Sequence, residues 1–141
     1  MRFSAKFLTS LLLVLSGLTG SLLFSKQPSE AQSTRGRFLV NTLSGKCIDV
    51  DGIPGTNNAA KLQLFDCEFS GRDPFQGRTT DQRWELTSDG FIRNTLSGKC
   101  IDVDGIPGTN NAAKLQLFDC EFSGRDPFQG RTTDQRWELT S

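Results

Sequence analysis

After residue 31 the apolar positions of this chain come in short runs divided by turn formers. Phe38-Leu39-Val40 and Cys47-Ile48-Asp49-Val50 are two such runs, and Leu62-Gln63-Leu64-Phe65 and Trp84-Glu85-Leu86 alternate. Between them stand Leu43-Ser44-Gly45-Lys46, Asp51-Gly52-Ile53-Pro54-Gly55 and Ser70-Gly71-Arg72-Asp73-Pro74. Short alternating runs bounded by Gly, Pro, Asp and Ser predict strands joined by turns. No stretch as long as a typical helix carries helical spacing. The class predicted is all-β. Along Leu62–Phe65 successive side chains point to opposite faces, so Leu62 and Leu64 are expected in the core, with Gln63 and Phe65 together on the other face.

The pattern then repeats. Residues 41–88 and 94–141 are identical over 48 positions at an offset of 53. Two copies inside one domain meet different neighbours, which normally drives their sequences apart. A very recent duplication would explain the identity, and so would an error in sequence assembly. The repeats span about 36–88 and 89–141. Each has two cysteines 20 residues apart, Cys47 with Cys67 and Cys100 with Cys120. Four cysteines allow three connectivities, and duplication favours pairing within each copy.

Composition narrows the function classes. Residues 1–31 read as a secretory signal: Arg2 and Lys6 precede an 18-residue apolar stretch, Phe7–Phe24, and Ser29-Glu30-Ala31 offers a cleavage site. An uncleaved anchor is the alternative, at the lower edge of membrane-spanning length. Beyond the signal, residues 32–141 carry 13 basic and 15 acidic side chains, interleaved, for a net charge of −2. That balance excludes the concentrated basic face of a nucleic-acid partner and offers no polybasic membrane patch. An exported chain with an even cysteine count suits an oxidising compartment, secreted or periplasmic. There is no His, which removes the commonest general base, the Ser-His and Cys-His pairs and the usual zinc ligand. The run Asp49-Val50-Asp51-Gly52 hints at a calcium loop, but Ile53 and Pro54 stand where a further oxygen ligand and a Gly are required. No enzyme, cofactor or metal is expected.

The order Cys47-Ile48-Asp49-Val50, Leu62-Gln63-Leu64-Phe65-Asp66-Cys67, Gln82-Arg83-Trp84 resembles the ricin B-type lectin repeat, whose signature is Gln-x-Trp. The same series recurs through Cys100, Asp102, Gln116, Phe118, Cys120 and Gln135-Arg136-Trp137. The resemblance implies a β-trefoil, three such repeats about a pseudo-threefold axis, binding galactose-type and related sugars in one shallow pocket per repeat. It assigns Asp49, Gln63, Phe65 and Asp81 to one pocket and Asp102, Gln116, Phe118 and Asp134 to the other. Asp49 would accept from sugar hydroxyls, Phe65 would stack on the ring, Trp84 and Trp137 would be core, and Gln82 and Gln135 structural. The chemistry stands without the family: a carboxylate and an amide satisfy a sugar's hydroxyl rim, and an aromatic ring covers its C–H face.

Two positions depart from that pattern. The family often has Trp where Phe65 stands, and commonly Asn where Asp81 stands. The stretch Glu68–Thr80, with Phe69, Arg72, Phe75 and Arg78, is longer than the family norm; it is either a loop over the pocket or a tolerated surface insertion. Two repeats are present where the fold has three: either chains assemble, three chains supplying six repeats, or the sequence is truncated or misassembled, and a homo-oligomer is the expectation if the chain is as written. The functional expectation is an exported carbohydrate-binding module; the alternative is a secreted structural or protein-binding β-trefoil without lectin activity.

Overall fold

The computed structural model describes residues 36–106 and 108–140. The expected signal at residues 1–31 lies outside them. Among the described residues there are seven strands and no helix: β1 Arg37–Phe38, β2 Cys47–Val50, β3 Ala60–Phe65, β4 Arg83–Leu86, β5 Ile92–Asn94, β6 Cys100–Val103 and β7 Leu115–Phe118. All pairs are antiparallel, in the order β1-β4-β5-β6-β7-β3-β2. The all-β expectation is met.

Each copy is built on one hairpin. β2 pairs with β3 in the register Ile48↔Leu64 and Asp49↔Gln63, and β6 pairs with β7 with Ile101↔Leu117 and Asp102↔Gln116. The disulfides Cys47–Cys67 and Cys100–Cys120 close the open ends of these hairpins, so pairing is within each copy. The copies join where β4 pairs with β5 and the start of β3 pairs with β7. Val50, Trp84, Ile101 and Leu117 form the buried core at this junction, with Ile48, Leu62, Ile92, Leu115 and Trp137 packed against it. The Trp84 indole N–H, which burial would otherwise leave unsatisfied, donates to the Ile48 carbonyl at 3.1 Å.

Three expectations change. The run Phe38–Val40 is not one strand: β1 is Arg37–Phe38, and Val40 makes only an isolated bridge to Cys47. The run at Trp137 is not a strand, although its sequence is that of β4. In the first copy, β4 lies between β1 and β5; in the second, Arg136 has a single bridge to Phe91. A strand needs a ladder of partners, and β5, which supplies it for β4, belongs to the following repeat. Trp137 is likewise only partly buried while Trp84 is fully buried, and Leu64 is 48% exposed while its duplicate Leu117, paired with Ala60 of the preceding copy, is 0% exposed.

Candidate functional site

The alternation of β3 and the pairing of β2 with β3 place Asp49 opposite Gln63. The Gln63 amide donates to Asp49 Oδ2 at 2.9 Å. From below, the fully buried Gln82 donates to Asp49 Oδ1 at 3.1 Å and to the Asp66 carbonyl at 3.0 Å, and accepts from the Glu68 N–H at 2.9 Å. Asp49 is thereby clamped through both oxygens yet still 8% exposed. A carboxylate oxygen accepts more than one hydrogen bond, so each retains capacity toward a ligand. The second copy repeats the clamp: Gln116 and Gln135 donate to Asp102 at 2.7 and 3.0 Å.

Asp81 enters beside this carboxylate because Thr80 and Gln82 are buried and carry the chain inward. Its carboxyl packs against the backbone of Gly55, where φ is +71° and a Cβ would collide with it. Only glycine fits that combination without strain, and Gly108 stands in the same relation to Asp134. Asp81 Oδ1 is buried and has no partner among the described residues. Burial first, and the charge of Asp49 second, push Asp81 up to about 7. Burial and the charge of Asp102 push Asp134 up to about 6. Holding a proton between two adjacent carboxyls relieves both causes.

A cavity of about 690 Å³ opens over these groups, bringing Asp49, Gln63, Phe65 and Asp81 together. One of about 560 Å³ brings together Asp102, Gln116, Phe118 and Asp134. All eight residues singled out in the sequence therefore face these two spaces. Phe65 is only partly covered, leaving ring surface free to a ligand.

The long stretch after Cys67 forms a wall. Asp73 Oδ1 accepts from the Phe75 and Gln76 N–H groups at 2.7 and 3.1 Å, and Arg72 donates to the Gly77 carbonyl at 2.7 Å. The Asp73 carboxylate also pairs with Arg78 at 3.5 Å. These bonds within the loop fix Phe75 at its tip, where it lines the first cavity with Arg72 and Arg78. Phe128 does so in the second and meets Phe118 edge to face at 6.3 Å. The loop is thus a wall of the pocket rather than an independent insertion. Phe69 is the exception, packing edge to face on Phe38 at 5.1 Å.

Sequence reasoning missed Leu96, which reaches the first cavity from the following copy. Self-comparison at a fixed offset shows what a copy contains, not what its neighbour lends it. It also understated Gln82 and Gln135, whose amides hold the carboxylates that would meet a ligand. Among the described residues no group of three or more His, Cys, Asp or Glu is placed to hold a metal ion.

Comparison with known proteins agrees with this geometry. No curated protein matches the chain significantly. The solution structure of the mdaA-1 domain is similar, with a TM-score of 0.52 and 18% identity over 73% of this chain. The chain spans 56% of that structure's length. At that identity the likeness concerns the fold. Residues 35–141 match the ricin-type beta-trefoil lectin domain, and the chain belongs to that family.

Proposed function

We propose that this protein is an exported carbohydrate-binding module with one sugar pocket per repeat. The family is one of carbohydrate-binding modules, typically extracellular, and the two disulfides suit an oxidising compartment. The observation that carries the two-pocket reading is that one constellation is built twice: a carboxylate clamped by two glutamines, a partly exposed Phe and a second carboxyl, in a cavity of sugar size.

In each pocket the clamped carboxylate accepts from adjacent sugar hydroxyls. Gln63 and Gln116 present their amides at the rim. Phe65 and Phe118 cover the apolar C–H face, with Phe75 and Phe128 closing the side. Preorganisation by Gln82 and Gln135 means that ligand binding orders few side chains, which favours affinity at a shallow site. A protonated Asp81 can also donate to a sugar oxygen, which restores the donor that the family's Asn supplies. Galactose-type and related sugars are the class the family resemblance implies. The pockets bind and release; chemistry on the sugar is not part of this reading.

A glycan array probed with the oxidised protein tests the proposal. Binding should be saturable and lost in the double variant Asp49→Ala, Asp102→Ala, with the circular dichroism of the fold retained. An empty array, or binding indifferent to the double variant, would return the chain to a structural or protein-binding role.

A further inference from the structure

Each cavity carries more aromatic surface than one sugar ring can use. Phe65, 38% exposed, already supplies a face beside the clamped Asp49. Phe75 lines the same cavity and is 78% exposed, far out at its rim. In the second copy Phe128 is 77% exposed and lines the cavity with Phe118. A single exposed apolar side chain is ordinary, but one that shares a cavity with a second ring and a set of polar groups marks a binding surface.

The tip ring is held in place by its own loop. Arg72 bridges to Thr79, the Asp73 N–H donates to the Arg78 carbonyl at 2.9 Å, and the Thr80 N–H to the Gly71 carbonyl at 3.1 Å. The stretch is a small hairpin with Phe75 near its tip. The second copy repeats it through the Arg125–Thr132 bridge, with the Asp126 N–H on the Arg131 carbonyl at 2.9 Å and the Thr133 N–H on the Gly124 carbonyl at 3.1 Å. The two copies have different neighbours, yet the tip ring has the same exposure in both, so its presentation belongs to the repeat itself. A ring already fixed loses little freedom when a ligand lands on it.

Orientation decides how many sugar rings the pair can take. Phe118 and Phe128 have their planes 77° apart with centroids at 6.3 Å. One flat pyranose cannot lie on both faces, so using both requires two sugar units. The surroundings of the tip ring favour a sugar over an alkyl chain. Arg72, Asp73, Arg78 and Thr79 line the first cavity with Phe75, and Asp126, Gln129, Arg131 and Thr132 line the second with Phe128. An alkyl chain would strip water from these groups and return no hydrogen bonds, whereas a sugar's hydroxyls replace them.

We infer that Phe75 and Phe128 form a second sugar subsite in each pocket, and that the ligand is an oligosaccharide of at least two units. The first unit sits on Asp49 and Phe65, and the next stacks on Phe75. In the second copy these roles fall to Asp102, Phe118 and Phe128. The cavities, about 690 and 560 Å³, lie in the range of roughly 300–1,000 Å³ that houses drug-sized ligands, and a disaccharide is a ligand of that size. The inference rests on the sugar-pocket reading and adds chain length to what the pocket selects.

Calorimetric titration of the oxidised protein with galactose, with galacto-oligosaccharides of two to four units and with octyl galactoside tests it. Affinity should rise about tenfold from galactose to the longer chains, as one extra stacked ring contributes. Phe75→Ala with Phe128→Ala should erase that rise. Phe75→Leu with Phe128→Leu should erase most of it, because leucine keeps apolar bulk and offers no ring face, and the paired Trp variants should retain it. Both rings are largely exposed, so the variants should fold, and circular dichroism checks this. Equal affinity for galactose and the longer chains would overturn the inference alone, as would a rise untouched by the Ala variants. So would an octyl galactoside that gains as much as the oligosaccharides and keeps its gain in the Leu variants. Silence across the whole series, galactose included, would fail the galactose-type pocket itself and this inference with it.

Discussion

Gln82 is the residue on which the first pocket turns, and its removal is the sharpest stability test. The side chain is fully buried and makes three hydrogen bonds, to Asp49 Oδ1, the Asp66 carbonyl and the Glu68 N–H. Gln82→Ala removes all three and leaves their partners facing a small void. A neutral bond contributes about 1 kcal/mol and one to a charged group about 1.5–3 kcal/mol, and an orphaned buried partner raises the cost. The expected loss is about 4 kcal/mol, a large share of the roughly 5–15 kcal/mol typical of a whole domain. In a domain of this size that lowers Tm by about 15–30 °C. Urea unfolding followed by Trp fluorescence measures it, since Trp84 lies in the core.

Gln63→Ala is the matched control. It also removes one bond to Asp49, but from an exposed amide, and should cost no more than about 1 kcal/mol. Gln82→Glu places a second carboxylate where Asp49 requires a donor and should be at least as harmful as Gln82→Ala near neutral pH. A loss below about 1 kcal/mol for Gln82→Ala would refute the clamp as a source of stability.

The remaining expectations concern protons and disulfides. Asp81 is held up to about 7 in the fold and titrates near pH 4 when unfolded. The folded state therefore binds this proton more tightly; its stabilising contribution is full below about pH 4 and is lost as pH rises to about 7. Asp81→Asn should flatten the pH dependence of urea midpoints across that window, and an unchanged slope would show that the proton resides elsewhere. Each disulfide joins residues 20 apart in sequence, which by loop-closure entropy corresponds to about 3 kcal/mol. Replacing Cys47 and Cys67 together by Ser should lower stability by about that amount in denaturant titration.

Much of the molecule was legible in the sequence because its rules are local. β2 was read at its true bounds, since Cys47–Val50 is an apolar run between two turns. The alternation Leu62-Gln63-Leu64-Phe65 placed Gln63 and Phe65 on the pocket side, as the pairing of Gln63 with Asp49 shows. What was not legible depends on neighbours. Leu64 and Leu117 have the same flanking sequence and opposite burial because β7 lies between β6 and β3, whereas β3 meets β7 only at Ala60 and Lys61. Residues 136–139 repeat β4 and form no strand because the partner belongs to the next repeat. Leu96 reaches a pocket whose other residues lie in the preceding copy. The loop of Phe75 was ambiguous because its fold rests on one carboxylate, Asp73, gathering backbone N–H groups that pattern alone does not reveal.

The central claim is that two equivalent pockets, 53 residues apart, bind carbohydrate. An amide-resolved NMR titration with the best-bound array glycan tests it most directly. The account expects saturable shifts in two clusters: the Gln63 side-chain amide with the backbone of Asp49 and Phe65, and the Gln116 side-chain amide with that of Asp102 and Phe118. Shifts confined to other surfaces, or no shifts at either cluster under saturating glycan, would contradict it.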